Sequence, residues 1–241
     1  MRIDVLSLVP EAFAPLTELG VIGRAFSSGI ASLYCHNPRD YTTDRYRKVD
    51  DEPYGGGAGM VLKPEPVFAA YQEIPKQGSC CSLLMTPQGI PLQQRKLQEW
   101  ADNYQQLILI CGHYEGFDER IRGLADEEVS LGDFILTGGE LPAMTIINGV
   151  VRLLPGTVGS AESLIEESHS AGLLEHPITR GLQNFKANKC QRYCVVAIMV
   201  PSHAGESNSN NNAPASVGQI CGQNGRRSND EAAYSCVAIT G

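Results

Sequence analysis

A chain of 241 residues, 42 % hydrophobic and 19 % charged, has ordinary globular composition and can bury one large core or two modest ones, which excludes a wholly disordered or fibrous protein. Its net charge of −8 is uneven, with 13 Lys and Arg against 24 Asp and Glu in residues 1–177 but 6 against 3 in residues 178–241; an acidic body argues against broad electrostatic binding of nucleic acid, although a local basic patch escapes that count. No apolar run approaches the roughly 20 residues of a membrane span, and Met1-Arg2-Ile3-Asp4 does not open a signal peptide, so the chain reads as cytosolic with no membrane partner.

In chain order, Ile3–Val9 reads as a strand, Glu11–Leu19 as a helix and Ala31–Cys35 as a second short strand. A polar stretch to Met60 follows. Ser82–Met85 and Leu107–Cys111 are continuous apolar runs of strand length, expected to be buried on both faces. Between them Leu92–Ala101 has helical spacing, with Leu92, Leu97 and Trp100 on one side. The alternation predicts an α/β fold with a mainly parallel sheet. After Pro177 the rhythm fails: Ser207–Asn212 holds only Ser and Asn, and Ala204–Asn229 is rich in Gly, Ser, Asn and Gln. On composition this tail is expected to be mostly disordered.

Three glycine-bearing loops follow apolar runs: Thr86-Pro87-Gln88-Gly89, Gly112-His113-Tyr114-Glu115-Gly116, and Leu131-Gly132-Asp133 leading to Thr137-Gly138-Gly139-Glu140. Loops at the carboxyl ends of parallel strands converge on one ligand crevice, and glycine lets backbone come close to a ligand. Any one of them alone is more often a simple turn. None has the spacing of a triphosphate loop or a dinucleotide fingerprint, so a nucleotide-like ligand held by backbone amides and apolar walls is favoured. Gly55-Gly56-Gly57-Ala58-Gly59 is either a flexible loop or a place where backbone packs tightly on a ligand or partner. Arg39, Arg45, Arg47 and Lys48 form the densest basic cluster of the acidic body, a solvated loop or a phosphate-backbone contact. Cys80-Cys81 and Cys190-x-x-x-Cys194 lack zinc-site spacing, and His113 and His169 stand isolated.

Taken together, Leu6–Glu11, Gly20–Ala25, Asn37–Asp40, Val49–Met60, Pro87–Gly89, Cys111–Arg120 (CGHYEGFDER) and Ser130–Met144 (SLGDFILTGGELPAM) resemble the bacterial tRNA (guanine-N1)-methyltransferases of the knotted SPOUT class. The resemblance runs from Met1 to Pro177. It implies methylation of N1 of the guanosine 3′-adjacent to the anticodon, position 37, from S-adenosylmethionine by a homodimer with a shared active site. It also implies a Rossmann-like sheet with a deep trefoil knot, whose cofactor-binding positions match Thr86, Pro87, Gly112, Tyr114, Glu115, Gly116, Leu131, Gly132, Asp133, Phe134, Ile135, Leu136, Gly138 and Gly139. Mg2+ is left open as a further requirement.

N1 of guanine carries a proton at neutral pH, so its attack on a sulfonium methyl needs a base. Negative charge then develops toward O6 and needs a donor or cation. The resemblance places an arginine at Arg152 and the base at Glu167, where the family pattern has aspartate. Glu166 competes for the second role. The implied organisation is a knotted methyltransferase domain over 1–159, a linker over 160–177, and a tail over 178–241 where the family has a small helical tRNA-binding domain. Reading permitted codons one nucleotide out of phase, with a C restored before Ile178, recovers His-Tyr-Thr-Arg-Ala-Ala-Glu-Phe and further family-like sequence. The tail is therefore expected to be out of frame. As written, the chain is then either the methyltransferase or a donor-binding dimer that has lost tRNA docking and is effectively inactive.

Overall fold

The computed structural model describes residues 1–18 and 20–159; the expected linker and tail, with Glu166, Glu167 and the four cysteines from Cys190 on, lie outside them. Five parallel strands form one sheet. In chain order β1 is Arg2–Leu6, β2 Ser32–His36, β5 Cys80–Pro91, β6 Gln106–Cys111 and β7 Glu127–Ser130, and the lateral order is β2-β1-β6-β5-β7. A two-stranded ribbon, β3 (Asp50–Asp51) against β4 (Val61–Leu62), stands apart from it. The helices are α1 (Ala14–Glu18), α2 (Gly20–Ser27), α3 (Pro64–Gln72), α4 (Gln94–Asn103) and α5 (Glu140–Leu153). The α/β class with a mainly parallel sheet is as the sequence predicts.

Both faces of the sheet are covered, and strand alternation decides which side chain goes where. Leu107, Leu109 and Cys111 of β6 join Ile3, Val5, Leu83 and Met85 in one core, closed by Trp100 of α4 and by Ala143, Ile146, Ile147, Val150 and Val151 of α5. Ile108 and Ile110, from the same strand, point into the other core with Leu6, Leu84, and Val67 and Ala70 of α3. The α5 positions recur at three and four residues, the period of a helix with one buried face.

Element boundaries differ from the sequence reading where glycine and proline intervene. β1 stops at Leu6, because Pro10 at the head of a 3-10 turn over Pro10–Phe13 sets the chain on a new course. The single helix expected over Glu11–Leu19 is that turn followed by α1, and Gly20 at φ +68° starts a separate helix, α2. The largest difference is β5, which continues through Thr86-Pro87-Gln88-Gly89 where a loop was expected. β7 pairs with both halves of it, with a register shift between Met85 and Ile90. Gly89 permits this: a Cβ there would lie 2.4 Å from the Val129 backbone nitrogen. α2, α3, α5 and β7 carry no expectation from the sequence.

Candidate methyl-donor site

The irregular middle of β5 and the carboxyl ends of β6 and β7 open on one cavity of about 390 Å³, within the range of roughly 300–1,000 Å³ that holds small-molecule ligands. Its wall contains Thr86 and Pro87 from β5. Gly112, Tyr114, Glu115 and Gly116 follow β6, and Leu131, Gly132, Phe134, Ile135, Leu136, Gly138 and Gly139 follow β7. Thirteen of the fourteen expected cofactor-binding positions thus meet. The fourteenth, Asp133, is not part of the wall; its exposed side chain belongs to the solvent side of the 131–136 loop.

Close backbone packing joins these segments. The Gly139 amide donates to the Gly112 carbonyl at 2.8 Å, and a Cβ on Gly139 would lie 2.7 Å from Cys111 Cα. Glycine at this crossing is a matter of space, not of φ. Tyr114 takes φ +63°, an uncommon conformation for a residue with a side chain. Its hydroxyl accepts from Arg39 Nη2 at 3.0 Å, so the basic cluster read in the sequence reaches the cavity wall through Arg39. The remainder of the cluster is partly neutralised on the surface: Arg47 is bound to Asp40, and Lys48 lies 3.9 Å from Asp51.

The glycine-rich segment has a definite place too. Gly59, at φ +82°, lies so close to the cavity that a Cβ on it would come within 2.2 Å of Glu115 Cγ. The Glu115 amide donates to the Met60 carbonyl at 3.1 Å, and the Leu62 amide to that of Gly116 at 3.0 Å. Of the two readings of this segment, tight backbone packing describes its Gly59 end, and what it packs on is the wall itself.

Residues that the sequence reading passed over complete the wall: Met85, His113, Phe117, Val129, Ser130, Thr137 and Pro142. Three of them, His113, Phe117 and Thr137, neighbour a loop glycine, a signal available in the sequence. Behind His113 lies Glu140, at the start of α5, which accepts from Ser7 Oγ at 2.7 Å. Among the described residues, burial raises Cys35 to about 11 and Cys81 to about 12, and Cys111 well above its ordinary value, which leaves these three thiols unsuited to nucleophilic work.

Arg152 is not at this cavity. It lies in the last turn of α5 and lines a second cavity, of about 530 Å³, with Pro15, Leu16, Val21 and Asn148. Twelve residues of helix separate it from Glu140, about 18 Å at 1.5 Å per residue. Glu167 lies outside the described residues. Among those residues, no group of three or more His, Cys, Asp or Glu side chains is placed to hold a metal ion, so none is assigned to Mg2+.

Comparison with known proteins decides what kind of site this is. The family model described as tRNA (Guanine-1)-methyltransferase TrmD matches residues 1–194. This chain belongs to the tRNA (guanine-N1)-methyltransferase family. A member from Synechococcus sp. strain RCC307 is 78 % identical over 176 residues, covering 73 % of this chain and 74 % of that protein. The member from Trichodesmium erythraeum is 57 % identical over 189 residues, 78 % of this chain and 83 % of that one. Among solved structures, the tRNA (m1G37) methyltransferase of Aquifex aeolicus aligns with TM-score 0.65 and 34 % identity, over 77 % of this chain and 78 % of that chain. In this family's terms the cavity is the candidate methyl-donor site.

Proposed function

We propose that this protein transfers a methyl group from S-adenosylmethionine to N1 of the guanosine 3′-adjacent to the anticodon of tRNA, position 37, in the cytoplasm. The observation that carries it is the convergence of thirteen expected positions on one cavity in a chain of this family. The cavity suits the donor: glycine backbone admits close approach, and Leu131, Ile135 and Pro142 supply apolar walls. When bound there, S-adenosylmethionine supplies the electrophilic methyl. The protein's own part is to hold it, take the N1 proton and offset the charge that develops toward O6.

Those last two tasks belong, in this reading, to Glu167 and Arg152. The separation of Arg152 from the cavity along α5 favours a homodimer in which one chain's Arg152 serves the other chain's donor site. The exposed apolar residues near the cavity, Phe134, Ile135 and Leu141, suit burial against a second copy. The deep trefoil knot belongs to the same reading, supported by the tight crossing of Gly139 over Cys111 and Gly112. So does the division into a methyltransferase domain to residue 159, a linker to 177 and an out-of-frame tail. No described helix is long and apolar enough to cross a membrane.

The test is transfer of a radiolabelled methyl group to a tRNA with guanosine after the anticodon, for the present chain beside a version with the restored frame. Label at N1 of that guanosine is expected, and a uridine or adenosine at the same place abolishes it. Donor binding by both chains with turnover by neither overturns the proposal.

A further inference from the structure

His113 forms part of the cavity wall, yet its Nδ1 is buried and has no hydrogen-bond partner. The group facing that nitrogen is Glu140, with Oε2 at 3.9 Å, a distance short of a hydrogen bond but within reach of a small rotation. Glu140 is itself held in place. Its Oε1 accepts from Ser7 Oγ at 2.7 Å, and Ser7 Oγ in turn accepts from the Val9 amide at 2.9 Å, which commits the hydroxyl proton to the carboxylate. Gly138 makes room for the pair: a Cβ there would lie 2.3 Å from Glu140 Oε2 and 2.9 Å from His113 Nδ1. On its other side the His113 ring meets Tyr114 edge to face, with centroids 5.1 Å apart.

We infer that Glu140 is a positioning residue of the methyl-donor site: anchored by Ser7, its carboxylate accepts a hydrogen bond from the Nδ1–H of His113, which keeps the proton on Nδ1 and so presents Nε2 to the cavity as a hydrogen-bond acceptor. An ionised carboxylate only accepts, and a neutral imidazole has one donor and one acceptor nitrogen. The partner on Nδ1 therefore decides what Nε2 offers, as it does for imidazoles that bind metals. The side chain of His113 remains 29 % exposed although Nδ1 is buried, which leaves the opposite, Nε2-bearing edge to face the cavity. An acceptor there suits the amino or hydroxyl donors of a nucleoside-type methyl donor. That ligand class rests on the proposed function; the Ser7–Glu140–His113 arrangement does not.

The test separates the two. With the full chain labelled at histidine nitrogen and free of ligand, the ring tautomer of His113 is read by NMR at neutral pH, and binding of S-adenosylmethionine and S-adenosylhomocysteine is measured by calorimetry. The unsubstituted chain is expected to show the Nδ1–H tautomer. In Glu140→Gln the amide oxygen stays with Ser7 and the NH2 faces Nδ1, so the ring is expected to switch to Nε2–H. Donor binding then weakens about tenfold, the cost of opposing two donors. Ser7→Ala is expected to weaken binding and Ser7→Thr, which keeps the hydroxyl, to restore it. An Nε2–H or doubly protonated ring in the unsubstituted chain overturns the inference, whether or not the variant folds. So does donor binding by Glu140→Gln within about twofold of the unsubstituted value. Absence of any binding by the unsubstituted chain instead overturns the donor reading, with the tautomer still deciding the pairing.

Discussion

Asp4 shows how a single buried charge is tolerated in this sheet. Its side chain is fully buried, and desolvation, the largest influence, pushes its pKa up. Hydrogen bonds from Arg2 at 2.7 Å, His36 at 2.9 Å and Gln106 at 2.7 Å more than reverse that and hold it at about 2, against an ordinary 3.8. A carboxylate whose pKa is lowered on folding contributes stability that is present above its unfolded pKa and lost as pH falls through the folded one. The window is thus from about pH 4 down to about pH 2, and the stake is about 2 kcal/mol. Urea midpoints are expected to fall across that window and to do so less in Asp4→Asn. That variant should also be less stable at pH 7, since Arg2 loses its carboxylate partner. Gly139 makes the complementary point about space. A Cβ there meets backbone of Cys111 and Gly112 below 3.0 Å, and backbone cannot rotate aside. Gly139→Ala is expected to cost about 2 kcal/mol and to abolish donor binding, seen together in thermal melts and calorimetry.

At the scale of elements, β5 and β7 are where sequence and structure part. Ser82–Met85 was legible because the run is apolar on both faces; Pro87 and Gly89 then read as breakers, although the strand continues past them to Pro91. Gly89 is there because Val129 passes too close for any side chain, a tertiary fact with no local signature. β7 hid behind its charges, Glu127 and Glu128. Each has a cationic partner outside the strand: Lys96 Nζ lies 2.9 Å from Glu127, and Arg122 is bound to Glu128. The candidate donor site is more legible than these elements, because a glycine just past a buried strand is a local pattern, and the segments after β6 and β7 both follow it. Asp133 and His113 mark its limits, the one outside the wall and the other inside it despite reading as an isolated histidine. If the β5–β7 contact depends on Gly89, Gly89→Ala should separate the strands from that point. Hydrogen exchange is expected to accelerate first at the Ile90–Val129 pair, before the β1–β6 amides change, with a global loss of about 2 kcal/mol. Uniform exchange across all strands would contradict it.

At the scale of the whole molecule, α5 runs between two cavities of one chain. Its first turn carries Glu140 behind the donor cavity, and its last turn carries Arg152 in the second cavity. Helix geometry puts about 18 Å between them, several times the reach of an arginine side chain to a methyl group bound at the first site. α5 is also packed on the sheet along its length through Ala143, Ile147 and Val151, so bending it to close that gap would open the core. In the proposed reading, Arg152 therefore offsets charge on the guanine from a second chain. Two-fold symmetry then makes each composite site from one Arg152 and the opposite cavity. Arg152→Ala and Gly139→Ala are each expected to be inactive, tested with the restored tail so that tRNA docking does not limit turnover. Unfolded together and refolded as an equal mixture, they should regain about a quarter of the unsubstituted methyl transfer, because half of the dimers are mixed and each mixed dimer holds one intact site. No regain in a mixture shown by mass to contain the mixed dimer would place Arg152 and the donor in the same chain, and would require α5 to move.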